Sequence, residues 1–368
     1  MRIRSVRTLC FAQPMIPIHQ HTFPGQLELV VIEIEAEDGT KGHSLARSHG
    51  GQPGSVIAQA VQVSLAPLVV GEDASHPAAM WDRMTALEPA GYVSVFAVSA
   101  VDVALWDLAG RLRGQSVASM LGGRRTAMGA YASSAHYDTI DAYLQDLQAA
   151  LEAGFQAYKV HPFYDVGRDM ALCRALRDAA GPKVRLMLDA AKRYELHGAL
   201  RVGHVLQELD FHWFEEPLPQ HDWAGYARLR QALRIPIAGG ETLPGLHHAL
   251  VNALDAQAYG MVLCDVYWKG GISGAQHALA LCESRGIPVV SHHGASALMN
   301  VANLQWLCGG SNVEMLEVLF PELPYRFGLK RYPSLAEDGQ LHLPLGPGLG
   351  VEIDWDYIPS STVNFVTC

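Results

Sequence analysis

The sequence predicts a closed parallel α/β barrel joined to a smaller α+β domain, and three observations carry that prediction. A unit of short apolar strand, polar loop and amphipathic helix recurs every ~25 to 30 residues beyond Arg124. Acidic residues end three successive strand segments at one fixed spacing. The chain before Gly123 instead changes pattern type, from strict alternation to helical periodicity.

In that first stretch, Leu27 to Glu35 alternates as a half-buried strand, Asp38-Gly39 marks a turn, and helical periodicity begins near Ser55. Between Ser94 and Leu112, Ala97, Ala100, Val101, Ala104, Leu105 and Leu108 fall at helical spacing, and Gly122-Gly123 follows as a stop signal. These signals place an α+β domain at 1–124 and the barrel at 125–340. Barrel strands are expected to finish near Ala132, Val160, Asp189, Glu215, Gly239, Cys264, Ser291 and Glu317, with helices such as Asp141 to Glu152 and Gly167 to Ala180 between them. An open doubly wound sheet alternates in the same way, but no GxGxxG opens a helix here. Past Gln340 the chain reads LHLPLGPGLGVEIDWDYIP, a Gly/Pro turn with short strands, and residues 341–368 are expected to return to the first domain.

At 368 residues the chain exceeds the usual size of a single core. Its 49% hydrophobic and 17% charged content is that of an ordinary globular protein. A formal net charge of -10, with Lys and Arg only in scattered pairs such as Arg124-Arg125, argues against nucleic acid as a partner. Six Cys without a CxxC pair suggest neither zinc nor disulfides. No window reaches the ~18 apolar residues of a membrane span, and MRIRSVRTLCFAQP lacks the apolar stretch of a signal peptide. A cytoplasmic location, away from membranes, is the expectation.

Catalytic groups of a parallel barrel gather where the strands end, because those ends share one face. Asp189 ends RLMLD, Glu215 ends FHWFE and Glu241 follows IPIAGG, at equal steps of 26 residues. Neighbouring strands lie about 4.8 Å apart, so three carboxylates at equivalent heights suit one hard cation, and oxygen-only ligands favour Mg2+ over zinc. Glu216 points to the other side of an extended strand, toward Arg, Lys or backbone donors. In AYKVHP, Lys159 and His161 are two apart and share a face, while Val160 turns toward the helices. Beside a divalent cation both would hold a proton less tightly, which makes His161 a ready base. Asp265 ends YGMVLCD and His292 ends IPVVSH one unit later, and an Asp beside a His fixes its tautomer and raises its basicity. Glu317, in VEMLEV, can hold a substrate oxygen or the His292 side of the mouth, with Glu314 competing for that place.

The order KVH, LMLDAAKRY, FEEP, AGGET, CDVYWKGG and SHH resembles the mandelate racemase subgroup of the enolase superfamily, the mandelate racemase/muconate lactonizing enzyme family. DGTKGHS (Asp38 to Ser44) and SAVDVALWDLAGRLRGQSVASMLGG (Ser99 to Gly123) extend the likeness over nearly the whole chain. The resemblance implies a modified TIM barrel, (β/α)7β, with an α+β N-terminal capping domain completed by the C-terminal segment. It also implies one Mg2+ per subunit on Asp189, Glu215 and Glu241. Lys159 then matches the Lys that holds the substrate carboxylate. His161 falls where the subgroup's KxK motif places its catalytic Lys. Asp265 and His292 match the His-Asp dyad, and Glu317 the final acid. Two departures stand out: His161 in place of Lys, and Ala191 where Asn often follows the metal-binding Asp. The expected reaction removes the proton beside a carboxylate and eliminates water from a sugar acid. Racemisation, epimerisation or cycloisomerisation are the alternatives. His19, His21, Arg47, His49 and Tyr92 are expected to read the substrate's hydroxyls and far end, and a homo-oligomer, dimer to octamer, is anticipated.

Overall fold

The computed structural model describes residues 1–13, 27–48, 52–87, 93–243, 246–294, 296–321, 328–358 and 363–368. Three strands open the chain: β1 (Ile3–Gln13), β2 (Leu27–Ala36) and β3 (Lys41–Arg47). Eight more, β4 (Ala127–Ser133), β5 (Ala157–Val160), β6 (Arg185–Asp189), β7 (Trp213–Glu215), β8 (Ile237–Gly239), β9 (Met261–Cys264), β10 (Val289–Ser291) and β11 (Leu316–Leu319), alternate with helices. β12 (Gln340–His342) and β13 (Val363–Thr367) follow.

The strands from β4 to β10 pair in sequence order, all parallel, and β11 pairs parallel with β4. Between β10 and β11 the amide of Ser291 donates to Met315 O at 3.1 Å and that of Glu314 to Val289 O at 3.0 Å, which closes the ring. A doubly wound sheet is therefore excluded. The capping sheet is antiparallel in the order β13-β1-β2-β3, so residues 363–367 return to the first strands. Residues 340–342 do not: β12 pairs antiparallel with the start of β4, and this part of the tail stays on the barrel.

Four of the barrel helices begin where a short polar side chain replaces the missing backbone acceptor of the first turn. Thr139, Asp165, Asp222 and Ser296 each accept the amide three residues on. In the capping domain Ser94 does the same for helix Val95–Arg113, and Gly114 at φ 65° lets the chain leave it.

A second, smaller core fills the barrel: Tyr131, Ala157, Met187, Trp213, Ala238, Met261, Leu263, Val290 and Met315, all buried. Every barrel strand contributes, directly or by the residue just before it, and each fully buried large side chain among them stabilises the fold by roughly 1.5–3 kcal/mol. This layer positions the polar groups above it. Strand side chains repeat every two residues, so the residue two beyond an interior apolar one also faces inward. Ala157 is followed in this way by Lys159, Met187 by Asp189, Trp213 by Glu215, Leu263 by Asp265, Val290 by His292 and Met315 by Glu317.

Candidate active site

Six polar groups thus stand over one apolar floor at the ends of the barrel strands. The register sets Asp189 directly opposite Glu215, and Glu215 opposite Ala238, three residues before Glu241. Lys159 is buried at their centre. Its ammonium lies 2.8 Å from Glu215 Oε1, 2.9 Å from Glu317 Oε1 and 3.7 Å from Asp189 Oδ2.

Burial opposes charge on Lys159, but the carboxylates of Glu215 and Glu317, with Asp189 behind them, hold it well above the ordinary lysine range. That direction belongs to the acids alone; the field of a divalent cation bound beside Lys159 would act against it. Burial also opposes ionisation of Glu317, yet Lys159 and His292 pull it down to about 2. Glu317 bonds Lys159 and, through its other oxygen, the amide of His293 at 2.9 Å. Glu314 lies elsewhere, 2.9 Å from His212 Nε2.

His161 and His292 bracket the acid row. The Nδ1 of His161 faces the carbonyl of Ser134 at 2.8 Å, and because a carbonyl only accepts, Nδ1 keeps its hydrogen. Its Nε2 lies 3.1 Å from Asp189 Oδ2. At the other end the Nδ1 of His292 faces Asp265 Oδ2 at 2.7 Å and its Nε2 lies 3.4 Å from Glu241 Oε2. In both rings Nε2 is the nitrogen left to exchange a proton. Burial opposes charge on His292, but Glu241 and Asp265 push it up to about 9.

Among the described residues no three acid or imidazole side chains are already gathered as a metal cluster. Asp189 leans on His161, Glu215 on Lys159 and on the indole N–H of Trp213 at 2.9 Å, and Glu241 lies 3.7 Å from Lys192. The donor set nevertheless fits a hard divalent cation. Burial and the neighbouring Asp189, Glu317 and Glu241 raise Glu215 well above the usual carboxylate range despite Lys159. The row therefore holds more negative charge than its lysine offsets.

Several supports had escaped the sequence reading. Trp213, two residues before Glu215, carries a period-two signal that was available. Glu216, already expected to turn from Glu215 toward a basic or backbone donor, meets Lys192 through its Oε2 at 2.6 Å, by way of a positive φ of 37° and not an extended backbone. Lys269, fully buried, donates to the carbonyls of Gly240 and Glu241 at 2.7 and 2.8 Å and so fixes the start of the Glu241 loop. Of the residues expected to read the substrate, Arg47 is buried at the end of β3, with its backbone bonded to the Tyr267 hydroxyl, two residues past Asp265. His19, His21, His49 and Tyr92 lie outside the described residues.

A capped (β/α)7β barrel with acids, a lysine and a His-Asp pair at its mouth is the scaffold of an enolase-superfamily enzyme. Family models agree over most of the chain: the mandelate racemase/muconate lactonizing enzyme N-terminal domain matches residues 3–122, and the enolase C-terminal domain-like model matches 142–357. The chain belongs to the mandelate racemase/muconate lactonizing enzyme family. It is 31% identical to D-galactarolactone cycloisomerase of Agrobacterium fabrum, with 89% of each chain covered. Arabinonate dehydratase of Saccharolobus solfataricus is 29% identical over 89% of this chain and 88% of its own. The crystal structure of D-glucarate dehydratase from Agrobacterium tumefaciens, complexed with magnesium, superposes with a TM-score of 0.87 at 29% identity, covering 99% of both chains.

Proposed function

We propose that the protein is a sugar-acid dehydratase that takes the proton α to a carboxylate and expels hydroxide from the β-carbon. The observation that carries this reading is the bracket: two imidazoles present their Nε2 atoms to the acid row from opposite ends. Loss of the α-proton adds charge to a carboxylate that is already anionic, so stabilising that charge is the main demand on the site. Mg2+, when held by Asp189, Glu215 and Glu241, supplies Lewis-acid stabilisation of those oxygens.

Lys159, whose ammonium Glu215 and Glu317 favour, offers it to the substrate carboxylate. His161 accepts the α-proton on Nε2 while Ser134 keeps its Nδ1 hydrogen in place. The electron pair of the broken C–H bond forms the enolic double bond and then expels the β-hydroxyl. His292, whose hold on a proton Asp265 strengthens, protonates that hydroxyl so that it leaves as water. The resulting enol becomes a 2-keto-3-deoxy acid.

Proton NMR in deuterium oxide, with a library of sugar acids and Mg2+, tests the reading. A 2-keto-3-deoxy product supports it, and chelation of the metal is expected to abolish that product. Deuterium incorporation without elimination would instead make the enzyme an epimerase or racemase. A product of unchanged mass would favour cycloisomerisation, the activity named for the 31%-identical relative. No helix among the described residues is long and apolar enough to cross a membrane. A cytoplasmic homo-oligomer completes the proposal, and a monomer mass by light scattering at micromolar concentration would overturn its oligomeric part.

A further inference from the structure

Beside His161, three successive barrel loops bring together an imidazole, a phenol and a guanidinium that the chemistry above does not use. His136 follows β4, Tyr164 follows β5 and Arg193 follows β6. The ring of His136 lies 5.4 Å from that of His161 and 5.4 Å from that of Tyr164. The Tyr164 hydroxyl is 3.3 Å from His136 Nε2, and the Arg193 guanidinium sits over the Tyr164 ring, 5.6 Å from its centroid.

The loops that carry these groups are tied to one another. Asp169 accepts the amide of Phe163 at 2.9 Å and the hydroxyl of Tyr194 at 2.6 Å, which joins the loop after β5 to the loop after β6. Arg168 donates to Asp138 O at 2.9 Å and so joins the loop after β4 to the helix Val166–Ala180, which also carries Asp169. Tyr164 itself holds φ at 62°, a left-handed conformation that costs a non-glycine residue about 1–2 kcal/mol and persists because the surroundings fix it. The three polar heads are therefore positioned before any ligand arrives, which lowers the entropy cost of binding.

Charge distinguishes Arg193 from the other cations of the mouth. Lys159 and Lys192 are both paired with buried acids. Among the described residues no carboxylate lies within ion-pair range of Arg193, which is exposed at the rim. A guanidinium held near an aromatic ring and without a carboxylate partner keeps N–H donors available, and its planar fork matches a carboxylate.

Resting on the reading that His161 faces the α-carbon of a sugar acid, we propose that His136, Tyr164 and Arg193 bind the far end of the substrate. The substrate class is then a sugar diacid, with its second carboxylate on Arg193 and its hydroxyls on His136 and Tyr164. A monoacid of the same length would set a neutral hydroxyl against the guanidinium and lose a charge-assisted hydrogen bond.

Calorimetric titration of the full chain with Mg2+, using a panel of hexarates and the matching hexonates, tests the assignment. The tightest hexarate is expected to bind about 10-fold or more tightly than its hexonate, as one charge-assisted hydrogen bond predicts. Arg193→Met should remove that margin and leave hexonate affinity unchanged, while Tyr164→Phe should weaken both by a smaller factor. Equal affinity for the two panels, equal loss of both in Arg193→Met, or no binding by either panel overturns the proposal. Proton exchange in deuterium oxide separates this result from the chemistry: Arg193-dependent hexarate binding without α-exchange keeps the subsite and sinks the dehydratase reading.

Discussion

The two imidazoles stand on opposite flanks of one acid row, yet different parts of the molecule hold them. His161 is anchored within the barrel, by the Ser134 carbonyl at its ring and the Tyr143 hydroxyl at its own carbonyl. His292 depends on Asp265, whose second oxygen takes the amides of Tyr267 and Trp268 at 2.6 and 2.8 Å. The loop carrying those amides rests on the capping domain: Ser99 donates to Tyr267 O at 2.7 Å, Trp81 to Gly270 O at 2.6 Å, and Asp102 accepts the amide of Ser273 at 3.0 Å. The barrel alone sets one proton carrier, whereas the other needs both domains in register.

Exchanging the imidazoles is the strongest way to break this comparison. His161→Asn is expected to lower α-proton exchange by about 10^3-fold, within the range of general acid–base catalysis. His292→Asn should keep exchange and lose the dehydrated product, as read by NMR in deuterium oxide. The reverse pattern would swap the two roles. Asp265→Asn should slow elimination by about 10^2-fold, at the lower end of the same range, with exchange little changed. Equal loss of both signals would show that Asp265 holds the whole mouth and not one ring.

Stability separates the flanks further. Burial raises Asp102 to about 7 in the folded chain, against about 3.9 when unfolded. The folded state therefore binds this proton more tightly, and its stability falls as pH rises from about 4 through 7. Asp102→Asn removes that loss. The melting temperature of the variant relative to the parent should climb between pH 5 and pH 8, corresponding to roughly 2–4 kcal/mol, and a pH-independent difference would contradict the assignment. The smallest effect is expected from Ser99→Ala, which removes one hydrogen bond worth about 1 kcal/mol. It should slow elimination a few-fold and leave α-exchange alone.

Much of this was legible because strands and chemistry share one period. An apolar residue, an outward residue and then a polar one mark six of the barrel strand ends, so Lys159, Asp189, Glu215, Asp265, His292 and Glu317 could be placed from the sequence. The ties between domains were not legible. Ser99 meets Tyr267 and Trp81 meets Gly270 across separations of 168 and 189 residues, and no local pattern encodes a partner at that distance. β12 was missed for a related reason, since a three-residue strand with one buried side chain carries too little alternation to reveal which sheet it joins. The acids that surround the Lys159 ammonium come from three other strands, so their convergence on it shows only in three dimensions.

The pairing of β13 with β1 bears on how the polypeptide matures. During synthesis β1 and β2 emerge early, and one border of β1 must stay unclaimed while the whole barrel is translated. Such a border invites pairing with foreign strands, so chains at this stage are exposed to misassembly until residues 363–367 arrive to seal it. Joining those two neighbours by a short linker and opening the chain elsewhere would bring the seal forward in translation.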